Sequence, residues 1–244
     1  MNKRITLDEI RESYDDFIDS CQKFNYLTRS ESIQREKIKE CEEYIRVVKS
    51  YKSQAITDKN EDASGFLFHM QCMLNAMRSS LIVWVNVKGE KYNEAWNSLI
   101  DAQEYVEVAL KIEEYDGVIN MRFHLDSMEN AIFPGWKLYN SPGHTETIGK
   151  CSICGKIFSK CDHIEDHIYM GRLCRRVDRK IIDVYHSALV ENPKDRRCII
   201  TKHSGDGGRM IDYFTWEETG EVKDHENGKI VEGIILSLNG LDLD

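Results

Sequence analysis

Through the first half of the chain apolar residues recur at intervals of three and four, the spacing that gathers them on one side of an α-helix. Ile10, Tyr14, Phe17, Ile18, Cys21 and Phe24 make one such face behind a Thr6 or Asp8 cap. A second helix opens near Ser30 or Ser32, where Ile38, Cys41, Ile45 and Val48 form a coiled-coil-like stripe among Lys, Arg and Glu. A third, from about 62 to 87, is apolar on nearly every side, with Phe66, Phe68, Met70, Leu74, Leu81 and Trp84 among its residues. A helix apolar all round belongs at the centre of a bundle. A fourth, from 93 to about 113, presents Trp96, Leu99, Ile100, Val106 and Leu110, and a fifth follows Asp116-Gly117 with Val118, Met121, Leu125, Met128 and Ile132. Short connections between them predict an up-and-down bundle.

Phe133-Pro134-Gly135-Trp136 ends this rhythm, because proline disfavours helix in the residue before it, and Ser141-Pro142-Gly143 extends the break. Beyond it a short helix is expected over 174–182, then β-type runs at 184–190, 198–201, 210–216 and 229–238. Asn227-Gly228 has the residue types of a two-residue hairpin turn. The predicted fold is mainly α with a small α+β part: a helical bundle over 1–135, a linker over 136–149, and a zinc-stabilised C-terminal module over 150–244.

No internal repeat or low-complexity tract is present, which argues against a solenoid. The most apolar stretch, 66–87, is interrupted by His69, Asn75, Arg78 and Asn86, so no membrane span is expected. The first residues carry no apolar export segment, and eight cysteines in 244 residues are too few for a disulfide framework. A reducing cytoplasm is therefore the expected setting, where clustered cysteines bind metal more often than they pair. A net charge of −9 argues against nucleic-acid binding over the whole surface, but leaves a local basic patch open.

Cysteine spacing changes the picture most. Cys151-Ser-Ile-Cys154-Gly155 presents two sulfurs to one cation, and Cys161, His163 and Cys174 follow within the next twenty residues. Cys151 and Cys154 are the expected first pair; Cys161, His163 and Cys174 compete for the two remaining places, and His167 fits less well. Cys161 and His163, two apart, share a side on extended chain, whereas Cys174 would close the site from the first turn of the expected helix. A sulfur-rich set of this kind predicts structural Zn²⁺ without an open coordination position. The run from Cys151 through Cys161-Asp-His163 to Tyr169-Met-Gly-Arg-Leu-Cys174, about a tenth of the chain, resembles a zinc-binding module of poorly characterised bacterial and phage-related proteins. The following run from Ile182 to Pro193 resembles a strand and turn of phage prohead proteases, departing where Tyr185-His186 precede the serine. The resemblance implies a metal-binding fold in a phage-related or phage-defence context and carries over no catalytic residue.

Enzymatic readings find less support. Asp162-His163-Ile164 resembles part of an HNH-type nuclease motif, whose histidine is a general base, but the proline and the downstream Asn and Cys segment are missing. Asp183, His186 and Ser187 do not suit a nucleophilic triad, since neighbours on a strand face opposite ways. Gly205-Asp-Gly-Gly208 lacks the Lys-Ser/Thr of a phosphate loop, and the helical half has no R-x4-6-H ribonuclease motif. Arg172, Arg175, Arg176, Arg179 and Lys180 crowd the end of the module and are candidate contacts to nucleic acid or a partner. The acidic stretch 101–129 could meet such a surface in a second copy. The expectation is a non-enzymatic interaction or accessory protein with a protein partner or a homo-oligomer, the HNH-like nuclease being the alternative.

Overall fold

The computed structural model describes residues 7–135, 137–223, 225–237 and 241–243. The Thr6 cap, the Asp8 side chain, Trp136 and Leu238 lie outside the described residues. Five helices are present: α1 (Leu7–Gln22), α2 (Glu31–Thr57), α3 (Glu61–Lys88), α4 (Tyr92–Leu110) and α5 (Asp116–Ile132). All five follow the predicted periodicity. Asn60 caps α3, its side-chain oxygen accepting from Ala63 N at 3.0 Å, and Glu61 and Asp62 favour the positive end of the helix dipole.

Helix α3 packs against α1, α2 and α4, which explains its apolar character on every side. Phe68, Leu74 and Leu81 are fully buried on it, and Trp96, Leu99 and Val106 face it from α4. Each such side chain contributes about 1.5–3 kcal/mol by leaving water. One polar group inside this core is matched on both sides, whereas the Gln71 side-chain amide on α3 is buried without a hydrogen-bond partner. Gln34, fully buried, donates to Phe24 O at 2.7 Å and Tyr26 O at 2.9 Å and accepts from Lys88 Nζ at 2.6 Å, which fixes the α1–α2 connection.

The chain divides into two compact units, and both are discontinuous. The first comprises residues 1–127, 148–178 and 241–244; the second comprises 128–147 and 179–240. The cysteine-bearing segment thus belongs with the helices, whereas the expected division joined it to the later strands. Its short ladders pair β2 (Lys150–Cys151) with β5 (Arg176–Val177), and β3 (Ile168–Tyr169) with β4 (Arg172–Leu173).

The second unit holds two antiparallel sheets. A two-stranded ribbon pairs β1 (Tyr139–Glu146) with β6 (Ile181–Val190). A four-stranded sheet runs β10–β7–β8–β9, from β7 (Ile200–Ser204), β8 (Arg209–Asp212), β9 (Glu218–Val222) and β10 (Val231–Gly233). Three expectations are corrected here. The helix over 174–182 does not form; β5 and the start of β6 occupy that stretch, stabilised by strands far away in sequence. Most of the linker is strand β1, whose Pro142 is tolerated because each strand of a two-stranded ribbon keeps one open edge. Asn227-Gly228 does not join a hairpin, since β9 pairs with β8 and β10 with β7.

Candidate metal centre

The segment 148–178 has little regular structure, so its shape comes from turns that aim side chains inward. Gly155, at φ +71°, closes the Cys151–Cys154 turn by donating to Cys151 O at 2.9 Å. Left-handed backbone of this kind suits a residue without Cβ. The turn also directs Ile153 N toward Cys151 Sγ at 3.4 Å. Ser152 ties this loop to the returning chain: its N donates to Arg175 O at 3.0 Å, and its Oγ accepts from Arg175 N at 2.9 Å and donates to Leu173 O at 3.0 Å.

Donor atoms of Cys151, Cys154, Cys161 and His163 all lie within 4.8 Å of one another. Bonds of about 2.3 Å on a tetrahedron put sulfurs about 3.8 Å apart, so a small contraction would seat a metal ion among these four. The imidazole is held for that role. Its ring meets the Tyr169 ring edge to face at 4.7 Å, while the Tyr169 hydroxyl accepts from Ile164 N at 3.1 Å. His163 Nδ1 is buried without a hydrogen-bond partner, the state expected of a nitrogen reserved for a metal.

Cys174 stands beside the group, its Sγ 3.8 Å from Cys151 Sγ, and it is fully buried. It follows β4 rather than opening a helix, and its N donates to His167 O at 2.8 Å. His167 thus serves this region through its backbone while its ring is exposed. Burial raises the Cys151 thiol, but the amides of Cys154 and Ile153 and the neighbouring thiols outweigh it and bring the pKa down to about 7. Burial, then the adjacent Cys151 sulfur, push Cys174 up to about 12. Burial also raises Cys161. The lowered pKa favours the thiolate at Cys151, the form that binds a cation.

The basic candidates are not displayed on a helix. Arg176 pairs with Glu165 at 3.0 Å, and Arg175 donates to Leu241 O at 3.0 Å. Arg172 Nε is buried without a hydrogen-bond partner. Arg179 and Lys180 belong to the second unit, where Arg179 pairs with Glu146 at 3.0 Å and Lys180 N donates to Thr147 Oγ1 at 2.9 Å. The would-be triad is likewise unassembled: Ser187 Oγ donates to Asn140 Oδ1 at 3.3 Å and Asp183 Oδ1 accepts from Val184 N at 2.9 Å. Gly205–Gly208 is a loop with one short 3-10 turn.

Two arrangements escaped the pattern of the sequence. Beside α1 and α3 lies a cleft of about 500 Å³ bordered by Arg11, Phe66 and Glu113, and next to it a smaller one of about 260 Å³ that includes His69 and Tyr115. Elsewhere on the first unit, Lys52 is buried on α2 at 3 % exposure and faces Leu243. A lysine falling on the Cys41, Ile45, Val48 stripe was its one visible signal. Among the described residues no helix is long and apolar enough to cross a membrane. No family model, curated protein or solved structure matches the chain.

Proposed function

We propose that the chain is a non-enzymatic zinc-binding interaction or accessory protein, in which structural zinc holds residues 148–178 in shape for contact with a partner. The observation that supports it is the convergence of Cys151, Cys154, Cys161 and His163 around one point, with His163 Nδ1 buried and unpaired. Three sulfurs and an imidazole are the donor set of a closed zinc site, and Cys174 crowds the same place with a further sulfur. A protein partner or a second copy, a cytoplasmic setting and a phage-related or phage-defence context complete the proposal, the last resting only on the residue runs 151–174 and 182–193. Contact with nucleic acid has less support, because Arg175, Arg176 and Arg179 are engaged within the protein. An HNH-like nuclease would need His163 as a base facing substrate, whereas one of its ring nitrogens lies within 4.8 Å of three cysteine sulfurs.

Elemental analysis of the purified chain checks this reading. About one zinc per chain is expected, with a lower melting temperature after chelation and no cleavage of DNA or RNA in Mg²⁺ or Mn²⁺. His163→Ala lowers zinc affinity by more than about a hundredfold, since even residues that merely support a ligand are worth ten- to a hundredfold. Cleavage that disappears in His163→Ala while zinc stays bound would reverse the assignment.

A further inference from the structure

Residues 241–243 form neither helix nor strand, yet all three of their carbonyls and the Asp242 amide meet side chains of the first unit. Arg175 donates to Leu241 O at 3.0 Å, Tyr105 Oη accepts from Asp242 N at 2.9 Å and lies 3.4 Å from Asp242 O, and Lys52 Nζ donates to Leu243 O at 3.3 Å. Lys49 Nζ grips both carboxylate oxygens of Asp242, at 2.8 and 2.9 Å. Leu243 is 2 % exposed. Such contacts read an extended leucine-acid-leucine segment by its backbone, one charge and one buried side chain, which is how grooves recognise short peptides.

We propose that this groove, built from Lys49 and Lys52 of α2, Tyr105 of α4 and Arg175, is a docking site for an extended leucine-acid-leucine peptide of a partner protein, with residues 241–243 as the built-in competitor. Charge complementarity selects the occupant: three cations converge on the groove, and the Asp242 carboxylate pairs with Lys49. Displacement is feasible because the segment is held without a strand ladder, and the side chain of Asp242 is 66 % exposed. An exposed ion pair is worth little, so local release of such a segment costs less than global unfolding. The proposal extends the interaction reading to a named surface, and it can fail while the zinc reading stands.

The test uses the full-length chain and a fluorescein-labelled peptide with the sequence of residues 237–244, followed by anisotropy. In the double variant Asp242→Ala with Leu243→Asp the built-in segment no longer fits, and the peptide binds at least about tenfold more tightly than to the unmodified chain, because an occupied groove lowers apparent affinity by its free fraction. Adding Lys49→Glu abolishes binding, and a peptide carrying Lys at the Asp242 position restores it to that triple variant. That charge exchange would not occur if the segment were mere packing. Should the double variant fold poorly, hydrogen exchange on the unmodified chain gives the same answer: excess peptide speeds exchange at 241–243. Absence of binding to a folded, opened groove overturns the proposal. So does sedimentation showing that the segment instead docks into a second copy, or retention of the peptide regardless of the charge at position 49. Zinc content measured on the same samples separates failure of this groove from failure of the metal reading.

Discussion

His69 shows how one side chain in a core sets a response to acid. It is 2 % exposed, its Nδ1 lies 3.2 Å from Ala109 O and its Nε2 3.3 Å from the Tyr115 hydroxyl. A carbonyl only accepts, so Nδ1 carries the proton and Nε2 accepts from Tyr115. Burial lowers the pKa of His69 below its usual 6.5, and burial does the same at His124. Above pH 6.5 neither state binds the extra proton; below it the unfolded chain takes up protons that the folded chain refuses, so stability falls as pH falls. Chemical denaturation between pH 7.5 and 5 should show this loss. His69→Gln with His124→Gln should flatten that slope, and an unchanged slope would show that other groups govern it. The signal in the sequence was one of four polar interruptions in an apolar run, which together argued against a membrane span but said nothing of its partners.

At the scale of elements, the tip of the β3–β4 hairpin is a close junction between the cysteine-bearing segment and α3. Tyr169 pairs with Arg172, leaving Met170 and Gly171 as a two-residue turn with φ of +48° and +64°. Two positive values define a turn whose twist matches the strands it joins. A Cβ on Gly171 would lie 2.3 Å from Ser64 O, a backbone atom of α3. Gly171→Ala should therefore destabilise the first unit by about 2 kcal/mol or more, through strain and forced separation from α3. Thermal melting checks it; a change under about 0.5 kcal/mol, the range of a neutral surface substitution, would mean the contact is dispensable. The five helices were legible because their apolar spacing is a local property. Strands β1 and β5 and the first residues of β6 were not, because each depends on a partner distant in sequence, and the charges of Arg175, Arg176, Arg179 and Lys180 suit a helix as well as a strand edge; the rest of β6 was expected as a strand from 184. The clustering of Cys151, Cys154, Cys161 and His163 was legible from their spacing. What spacing could not supply was the hairpin that puts Cys174 beside Cys151 without a helix.

On the scale of the molecule, neither unit is a continuous stretch of chain. A fragment of residues 1–135, the boundary suggested by the end of helical periodicity, lacks 148–178 and 241–243 and so bares the α3 surface under Gly171 and the groove around Lys52. It should melt at lower temperature and less cooperatively than the full chain. A fragment equal in melting temperature and cooperativity to the first unit of the full protein would show that the later segments add nothing to the bundle. This organisation was hidden from the sequence because composition marks where a pattern changes, not where a chain returns.

Residues 179–240 are thus a cassette moored at both ends to one body, at 178 and at 241. Lengthening such a cassette costs little, since each doubling of a flexible loop adds only about 0.6 kcal/mol of closure entropy. Loops within that region could therefore lengthen freely in descendants of this chain, provided that the two mooring points keep their places and β6 keeps its pairing with β1.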